Sequence, residues 1–405
     1  MKLLFFFDSE RIYIDKYGNY YASGNFPIDV WNRYLNISDH LYVIMREGQS
    51  DITDSNILNR RECIDRTKIN IHLVKDVFGS INDYLNNSLR KYNEKIVDSV
   101  IKKSDFVIIR GANRNVVRKC IQYQKPYMIE VVGSAWDALW NHGWKGKVLA
   151  LPTEIVAKRV VKNAPWVLYV TNKFLQNKYP TRGKNIGVSD VSIEENAKEI
   201  LKKRINYIEQ RKGVITLGTA AAVNVQYKGQ EYVIRALGEL KKKGCIVYYE
   251  LVGLGTKDYL ENIAKECGVL DQVNFIGQLS HSKVLQWMDS IDIYIQPSLQ
   301  EGLPRAVVEA MSRGLPVLGS DVGGIPELIE KGEIFHRKSV KEISLCIESI
   351  NKEKMKFLAK SNFEKAKLYD KQALDKKRNK FYNDFKIWAY EQINTYQNQK
   401  LLEGE

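Results

Sequence analysis

Short apolar runs rich in β-branched and aromatic residues alternate with longer stretches of helical period along the whole 405-residue chain. In the first half the runs are Lys2–Phe7, Leu41–Met45, Ile69–Val74, Phe106–Ile109, Tyr127–Val132 and Trp166–Val170. In the second half they are Val214–Leu217, Ile246–Val252, Val273–Ile276, Ile291–Gln296 and Pro316–Gly319. Strand alternating with helix predicts parallel sheets with helices on both faces. The runs are nearly continuous in apolar residues, which fits strands buried on both sides. The predicted fold class is therefore α/β, with doubly wound sheets.

The alternation breaks in three places. Near the start, IYIDKYGNYYASG predicts a hairpin with its turn at Lys16–Asn19. Asn25-Phe26-Pro27 then reads as the cap and first turn of a helix running to about Leu35. Between Thr181 and Lys212 a charged stretch of helical pattern, containing NAKEILKKRINYIEQRKG, separates the halves. From about Asn362, one or two amphipathic helices carrying Phe381, Phe385, Trp388, Ala389 and Ile393 follow. The expected organisation is a first domain over 1–195, a linker over 196–212, a second domain over 213–365 and terminal helices over 366–405. A chain about twice the length of an ordinary domain agrees with that division.

Hydrophobic residues make up 44% of the chain, enough for two cores, so a disordered chain is excluded. The opening MKLLFFFDSERIY reads as a strand and not a signal peptide, because Asp8 interrupts the apolar run and no small-residue cleavage site follows. No apolar run approaches the roughly 20 residues of a membrane span. Five scattered cysteines with no C-x-x-C pair fit a cytoplasmic protein without a disulfide framework or structural zinc. The net charge of +14 is uneven: residues 101–185 hold 16 Lys or Arg against 4 Asp or Glu. Such a zone suits an anionic partner; the plainer reading is a Lys-rich solvated surface. No zinc-finger spacing or RNA-binding aromatic motif accompanies it, so nucleic acid is not expected. His40, His72, His281 and His336 show no ligand spacing, and no metal is assigned.

The most informative segment is Ile291 to Glu330, IDIYIQPSLQEGLPRAVVEAMSRGLPVLGSDVGGIPELIE. Ile291–Gln296 predicts a buried strand that Pro297 ends. Glu301-Gly302-Leu303 makes a turn at its carboxyl end, and Pro304 suits the first position of a helix over Pro304–Arg313. Gly314 and Pro316 stop that helix. Glu301 thus lies where open α/β sheets bind ligands, beside a helix N-terminus whose free N–H groups favour phosphate. Two carboxylates beside an anion site, Glu301 and Glu309, make sense if each accepts hydrogen bonds from hydroxyls, one from a ribose and one from a second sugar. A nucleotide-sugar has that shape. Taken singly, Glu309 could pair with Arg313 at i,i+4, and Glu301 could be an ordinary loop carboxylate.

The segment resembles the retaining glycosyltransferases of family 4, whose fold is GT-B: two Rossmann-like domains facing across a cleft. The family pattern P-S-x-x-E-G-x-x-x-x-x-x-E-A-M-x-x-G-x-P-V stands here as Pro297, Ser298, Glu301, Gly302, Glu309, Ala310, Met311, Gly314, Pro316 and Val317, followed by Gly323, Gly324 and Glu327. The resemblance covers residues 213–330 well and the first half weakly. It implies that Glu301 contacts the donor sugar and Glu309 the ribose, with the backbone at Gly302, Leu303 and Arg305 near the sugar and diphosphate. Upstream, GVITLGT with Gly218, then Tyr227-Lys228-Gly229, resembles the family's glycine-ended strand and K-G pair. Lys228 would neutralise charge on the leaving diphosphate, a role that replaces a metal. Gly253 sits in a V-G-x-G-like turn, and Gly277 and Leu279 in the strand end whose backbone meets the base.

Two departures stand out. Where the family commonly carries an Arg after the first-strand glycine, this chain has Thr219; where many members carry a His at the end of a first-domain strand, it has Val132. Glu130 and Asp137 flank that strand end, and Asp137 is expected to face the cleft; its alternative is a helix N-terminal carboxylate. His142 is expected at the surface. The resemblance implies metal-independent transfer, with retention, from a nucleotide-sugar to a hydroxyl of a glycan or lipid-diphosphate-linked acceptor in cell-surface or capsular polysaccharide synthesis. The basic 101–185 region would then meet an anionic membrane peripherally at its inner face. The alternatives are a nucleotide-sugar epimerase or hydrolase of the same fold, and a non-catalytic nucleotide-sugar binding protein.

Overall fold

The computed structural model describes residues 1–23, 26–53, 61–77, 86–140, 143–194 and 198–403. It has two Rossmann-like lobes, each built on a parallel sheet. In the first, β1 (Lys2–Ile14) lies between β3 (His40–Glu47) and β6 (Phe106–Arg110). Beyond β3 comes β5 (Ile69–Val74); beyond β6 come β7 (Tyr127–Val131), β8 (Trp166–Tyr169) and β9 (Lys184–Gly187), all parallel. The predicted hairpin is present: the far end of β1 pairs antiparallel with β2 (Tyr20–Ser23), which pairs with β4 (Arg61–Cys63). Asp15 closes its turn by accepting hydrogen bonds from the amides of Tyr17 and Asn19, 2.8 Å each.

Alternate residues of β1 enter different cores, as a strand of period two requires. Leu3 and Phe5 pack with Trp31 and Tyr34 on one face; Leu4 and Phe6 pack with Val100, Ile101 and Val116 on the other. The early helix runs Ile28–Leu35 with Pro27 at its cap position; Asn25, the expected cap, lies outside the described residues, as does His142.

The second sheet has the order β12-β11-β10-β13-β14-β15, using β10 (Ile215–Ala220), β11 (Val247–Val252), β12 (Val273–Gly277), β13 (Ile293–Gln296), β14 (Val317–Ser320) and β15 (Ile334–Phe335). Every pairing is parallel. The chain order reverses between β10 and β13, the switch point where such sheets bind ligands at their carboxyl ends.

The stretch expected as a linker is more than a connector. Residues Lys198–Gln210 form a helix that buries Arg204 and Ile208 against the second lobe. The Arg204 guanidinium donates to the carbonyls of Met288 and Ile291 at 2.7 and 2.8 Å. At the other end, Lys371–Glu403 is one long helix. It lies on the first sheet, where Phe381, Phe385 and Trp388 ring Trp166 with centroids 5.0, 5.7 and 5.9 Å away. The chain therefore crosses between lobes twice, and the crossings pair: the Ile193 amide donates to the Tyr369 carbonyl and the Lys371 amide to the Ile193 carbonyl. None of the described helices is long and apolar enough to cross a membrane.

Candidate active site

The corner between β13 and the helix Arg305–Ser312 carries the two carboxylates. Pro304 stands at the cap position, one residue earlier in the helix register than the sequence predicts. Glu301 is tied through one oxygen. Its Oε1 accepts from Lys228 Nζ at 2.7 Å, Ser298 Oγ at 2.7 Å and Gln296 Nε2 at 3.1 Å. Its Oε2 has no partner among the described residues. Glu309 repeats the arrangement: Oε1 meets His281 Nε2 at 2.9 Å, and Oε2 has no partner among the described residues. The expected Glu309–Arg313 pair does not form, because Arg313 binds Asp289 through two nitrogens at 2.8 and 2.5 Å.

Lys228 reaches Glu301 because the chain turns sharply just after it. Gly229 has φ +73°, and a Cβ there would sit 2.0 Å from the Pro297 carbonyl oxygen, so no larger residue fits between the lysine and its helix. Gly323, at φ +59°, backs against the Glu301 carbonyl in the same way and lets the Gly324 amide donate to Gly302 at 2.6 Å.

The other expected contacts divide. Gly277 ends β12 at φ +83° with open space beside its Cα, and Leu279 is partly buried against the second-lobe core. Gly253 lies against Ala221, where a Cβ would meet that carbonyl at 2.0 Å. Gly218 does not face open space: a Cβ would run into Trp287 and Ile291 at 2.6 and 2.5 Å, so this glycine lets the helix His281–Ser290 close onto the sheet. Thr219 is fully buried, hydrogen-bonded to the Ile295 carbonyl at 2.6 Å and to the Tyr249 hydroxyl at 2.7 Å. The Thr219 side chain therefore lies within the sheet core and does not line the interlobe cavity. Asp137 is paired with Lys178 at 3.6 Å, with its amide on Ser134 Oγ, in the first turn of Ala135–Trp140. It does not line the interlobe cavity, and its setting is that of a helix N-terminal carboxylate.

That cavity, of about 890 Å³, opens between the lobes. Leu303, Arg305, Glu309 and His281 line it from the second lobe; Phe7, Phe26, Arg33, Arg110 and Val132 line it from the first. Glu301 and Lys228 are not part of that lining; the corner carries Glu301 two positions ahead of Leu303. The lobes nearly touch at Gly302, where a Cβ would lie 3.2 Å from the Val132 carbonyl oxygen. A second contact is made by Glu327, which accepts the amides of Asn172, Lys173 and Phe174 at the start of the first-lobe helix Phe174–Lys178.

Sequence reasoning missed three parts of this surface. His281 follows the strand end Phe275–Leu279 by two residues, a position that could have drawn notice. Ser298 belongs to the quoted motif and Gln296 stands one residue before it, but their contacts to Glu301 were not foreseen. Arg33, Arg110 and Asp190 gave no local signal, because tertiary folding alone unites them. Arg110 Nη2 lies 2.5 Å from Asp190, Arg378 Nη2 3.3 Å and Arg33 Nη1 3.4 Å. Burial alone would raise the Asp190 carboxyl, but the guanidinium groups of Arg110, Arg378 and Arg33 outweigh it and hold the group down at about 2. Glu130, which flanks the strand end at Val132 as expected, is buried, accepting from Arg110 at 2.9 Å and from the hydroxyls of Tyr34 and Tyr382.

Comparison with known proteins agrees with this arrangement. Residues 198–369 match the family described as glycosyl transferases group 1. The chain is 35% identical over 359 residues to protein CapJ of Staphylococcus aureus, covering 86% of this chain and 85% of that protein. Among solved structures, sucrose-phosphate synthase from Thermosynechococcus elongatus superposes with a TM-score of 0.63 at 14% identity, over 95% of this chain and 98% of that one. Anabaena HepE in complex with UDP-glucose superposes with a TM-score of 0.58 at 17% identity, over 95% of this chain and 100% of that one. The two-lobed fold is thus GT-B, and the chain belongs to the group 1 glycosyltransferases, an enzyme of sugar transfer.

Proposed function

We propose that this protein transfers a sugar, with retention at the anomeric carbon and without an essential metal, from a nucleotide-sugar to a hydroxyl of a glycan or lipid-linked acceptor. The observation that carries the reading is the matched pair of half-tied carboxylates. Glu301 and Glu309 each have one oxygen held by the protein and one left for a hydroxyl, on a single strand-to-helix corner. The donor's sugar is assigned to Glu301 and its ribose to Glu309. The diphosphate is assigned to the amides at Leu303 and Arg305 and to the ammonium of Lys228, which exchanges part of its pairing with Glu301 for the departing phosphate.

In the transfer step the bond from the anomeric carbon to the diphosphate oxygen breaks, and the acceptor oxygen forms its bond on the same face. The acceptor proton passes to the departing phosphate oxygen. Positioning and charge stabilisation supply the acceleration. The first-lobe wall of the cavity, with Phe7, Phe26 and the arginines, is assigned to the acceptor. A role in cell-surface polysaccharide synthesis accords with relatives such as the amylovoran biosynthesis glycosyltransferase AmsK of Erwinia amylovora.

A thermal-shift screen with UDP-, GDP- and ADP-sugars tests the reading. A donor at 100 times its dissociation constant adds about 2.7 kcal/mol of stability. Glu309→Ala is expected to erase the shift, while Glu301→Ala keeps much of it and loses turnover. An undiminished shift in Glu309→Ala would refute the ribose assignment. Product anomers followed by NMR test retention, and turnover that survives chelation tests metal independence.

A further inference from the structure

We propose that the helix Gly143–Lys162 of the first lobe is a membrane-docking element: its outer face lies on an anionic lipid surface and brings a lipid-borne acceptor to the cleft. The proposal deepens the reading above and rests on it for the acceptor alone. The helix already has a satisfied inner face, since Ala150 is buried and Ala157, Val160 and Val161 belong to the first-lobe core. It carries a second apolar stripe that folding does not use. Val148, Leu151 and Ile155, spaced i, i+3, i+7, are 66%, 56% and 42% exposed, and this spacing puts them on one side of the helix. Trp140, itself 40% exposed, extends the patch. It stacks on Trp136 at 4.7 Å and lies under the Lys147 ammonium at 5.6 Å.

The charge on this face is of one sign. One turn beyond Ile155 come the exposed cations Lys158, Arg159 and Lys162. The only acid of the helix, Glu154, is buried, accepting from the Tyr179 hydroxyl at 2.6 Å and the Trp136 amide at 3.0 Å. An apolar stripe with an aromatic edge, flanked by cations and lacking exposed acid, is the composition of a helix that lies in a bilayer interface. A second copy of the chain fits less well, because it would set one basic face against another. Position agrees as well. The helix connects parallel β7 to β8, so it runs antiparallel to them. Its apolar first half therefore lies toward the carboxyl edge of the sheet, where Val132 lines the cavity. The basic zone read from the sequence thereby narrows to one face of one helix.

Vesicle flotation of the full chain at low salt tests this. The protein is expected to float with vesicles of equal parts phosphatidylcholine and phosphatidylglycerol, and not with phosphatidylcholine alone. Lys158→Gln/Arg159→Gln should weaken binding by roughly 30-fold, and Leu151→Ser/Ile155→Ser should abolish most of it. All four positions are exposed, so the unfolding temperature and any nucleotide-induced shift should stay as in the parent. Failure of the parent to float, or flotation indifferent to both variants, overturns the proposal. So does a parent dimer in light scattering that Leu151→Ser/Ile155→Ser converts to monomer. A nucleotide shift that persists through any of these leaves the transferase reading standing by itself.

Discussion

His281 is the side chain whose importance the folded chain adds to the sequence. Its exposed imidazole holds Oε1 of the buried Glu309 carboxylate at 2.9 Å. It fixes which oxygen faces the cavity and touches none of the reacting atoms itself, so it is a positioning residue. His281→Ala should therefore raise the KM for donor by about tenfold, the worth of one hydrogen bond to a charged group, and leave kcat nearly unchanged. His281→Gln should restore much of the loss. Steady-state kinetics on the pair of variants checks this, and a fall in kcat with unchanged KM would place the histidine elsewhere in the cycle. The contrast with Thr219 is instructive. Both stand near expected contact points, but Thr219 points between strands and His281 points at the cavity, a distinction of side-chain direction that spacing alone does not carry.

Elements were legible where burial was uniform. Strands such as Tyr127–Val131 and Ile293–Gln296 are covered on both faces, and their unbroken apolar runs announced them. The strand Lys184–Gly187 at the sheet edge has no such run and passed unread, since its backbone pairing with Trp166–Tyr169 defines it more than its side chains do. The corner bearing Glu301 and Glu309 was legible because Pro and Gly punctuate it. The first-lobe side of the cleft was not, because Arg33, Arg110 and Asp190 come from a helix, a strand and a loop far apart in the chain. The helix Lys198–Gln210 looked like a linker because its anchor is a buried arginine. Arg204→Met should cost about 2–4 kcal/mol in chemical denaturation, since two backbone carbonyls lose their donor. Asp190 makes a pH prediction at the same scale. Its carboxyl is held at about 2, below the ordinary value of about 4. The depressed folded value makes its stabilisation complete above about pH 4 and lost as the pH falls toward 2. Asp190→Asn should flatten the stability profile across that window, as followed by denaturant titration at stepped pH.

At the scale of the molecule, two lobes are joined by two paired crossings and touch again where Glu327 caps the helix Phe174–Lys178. Lobe closure is a common way for such clefts to exclude water during reaction. The Glu327 contact favours the closed arrangement, with a carboxylate on three amides at a helix start. Glu327→Ala should widen the average radius of gyration of the ligand-free protein in small-angle X-ray scattering and lower the unfolding free energy by about 1 kcal/mol. An unchanged scattering curve would show that the crossings alone set the lobe angle. The returning helix has one more consequence, for how the chain is made. The first sheet emerges from the ribosome long before Phe381, Phe385 and Trp388, which cover Trp166. During synthesis that sheet waits with one apolar flank open while the second lobe, contiguous in the chain, completes itself. The early half is thus the less protected part of a growing chain, and a nascent chain halted before Lys371 should be cleaved by protease in its first half and resist in its second.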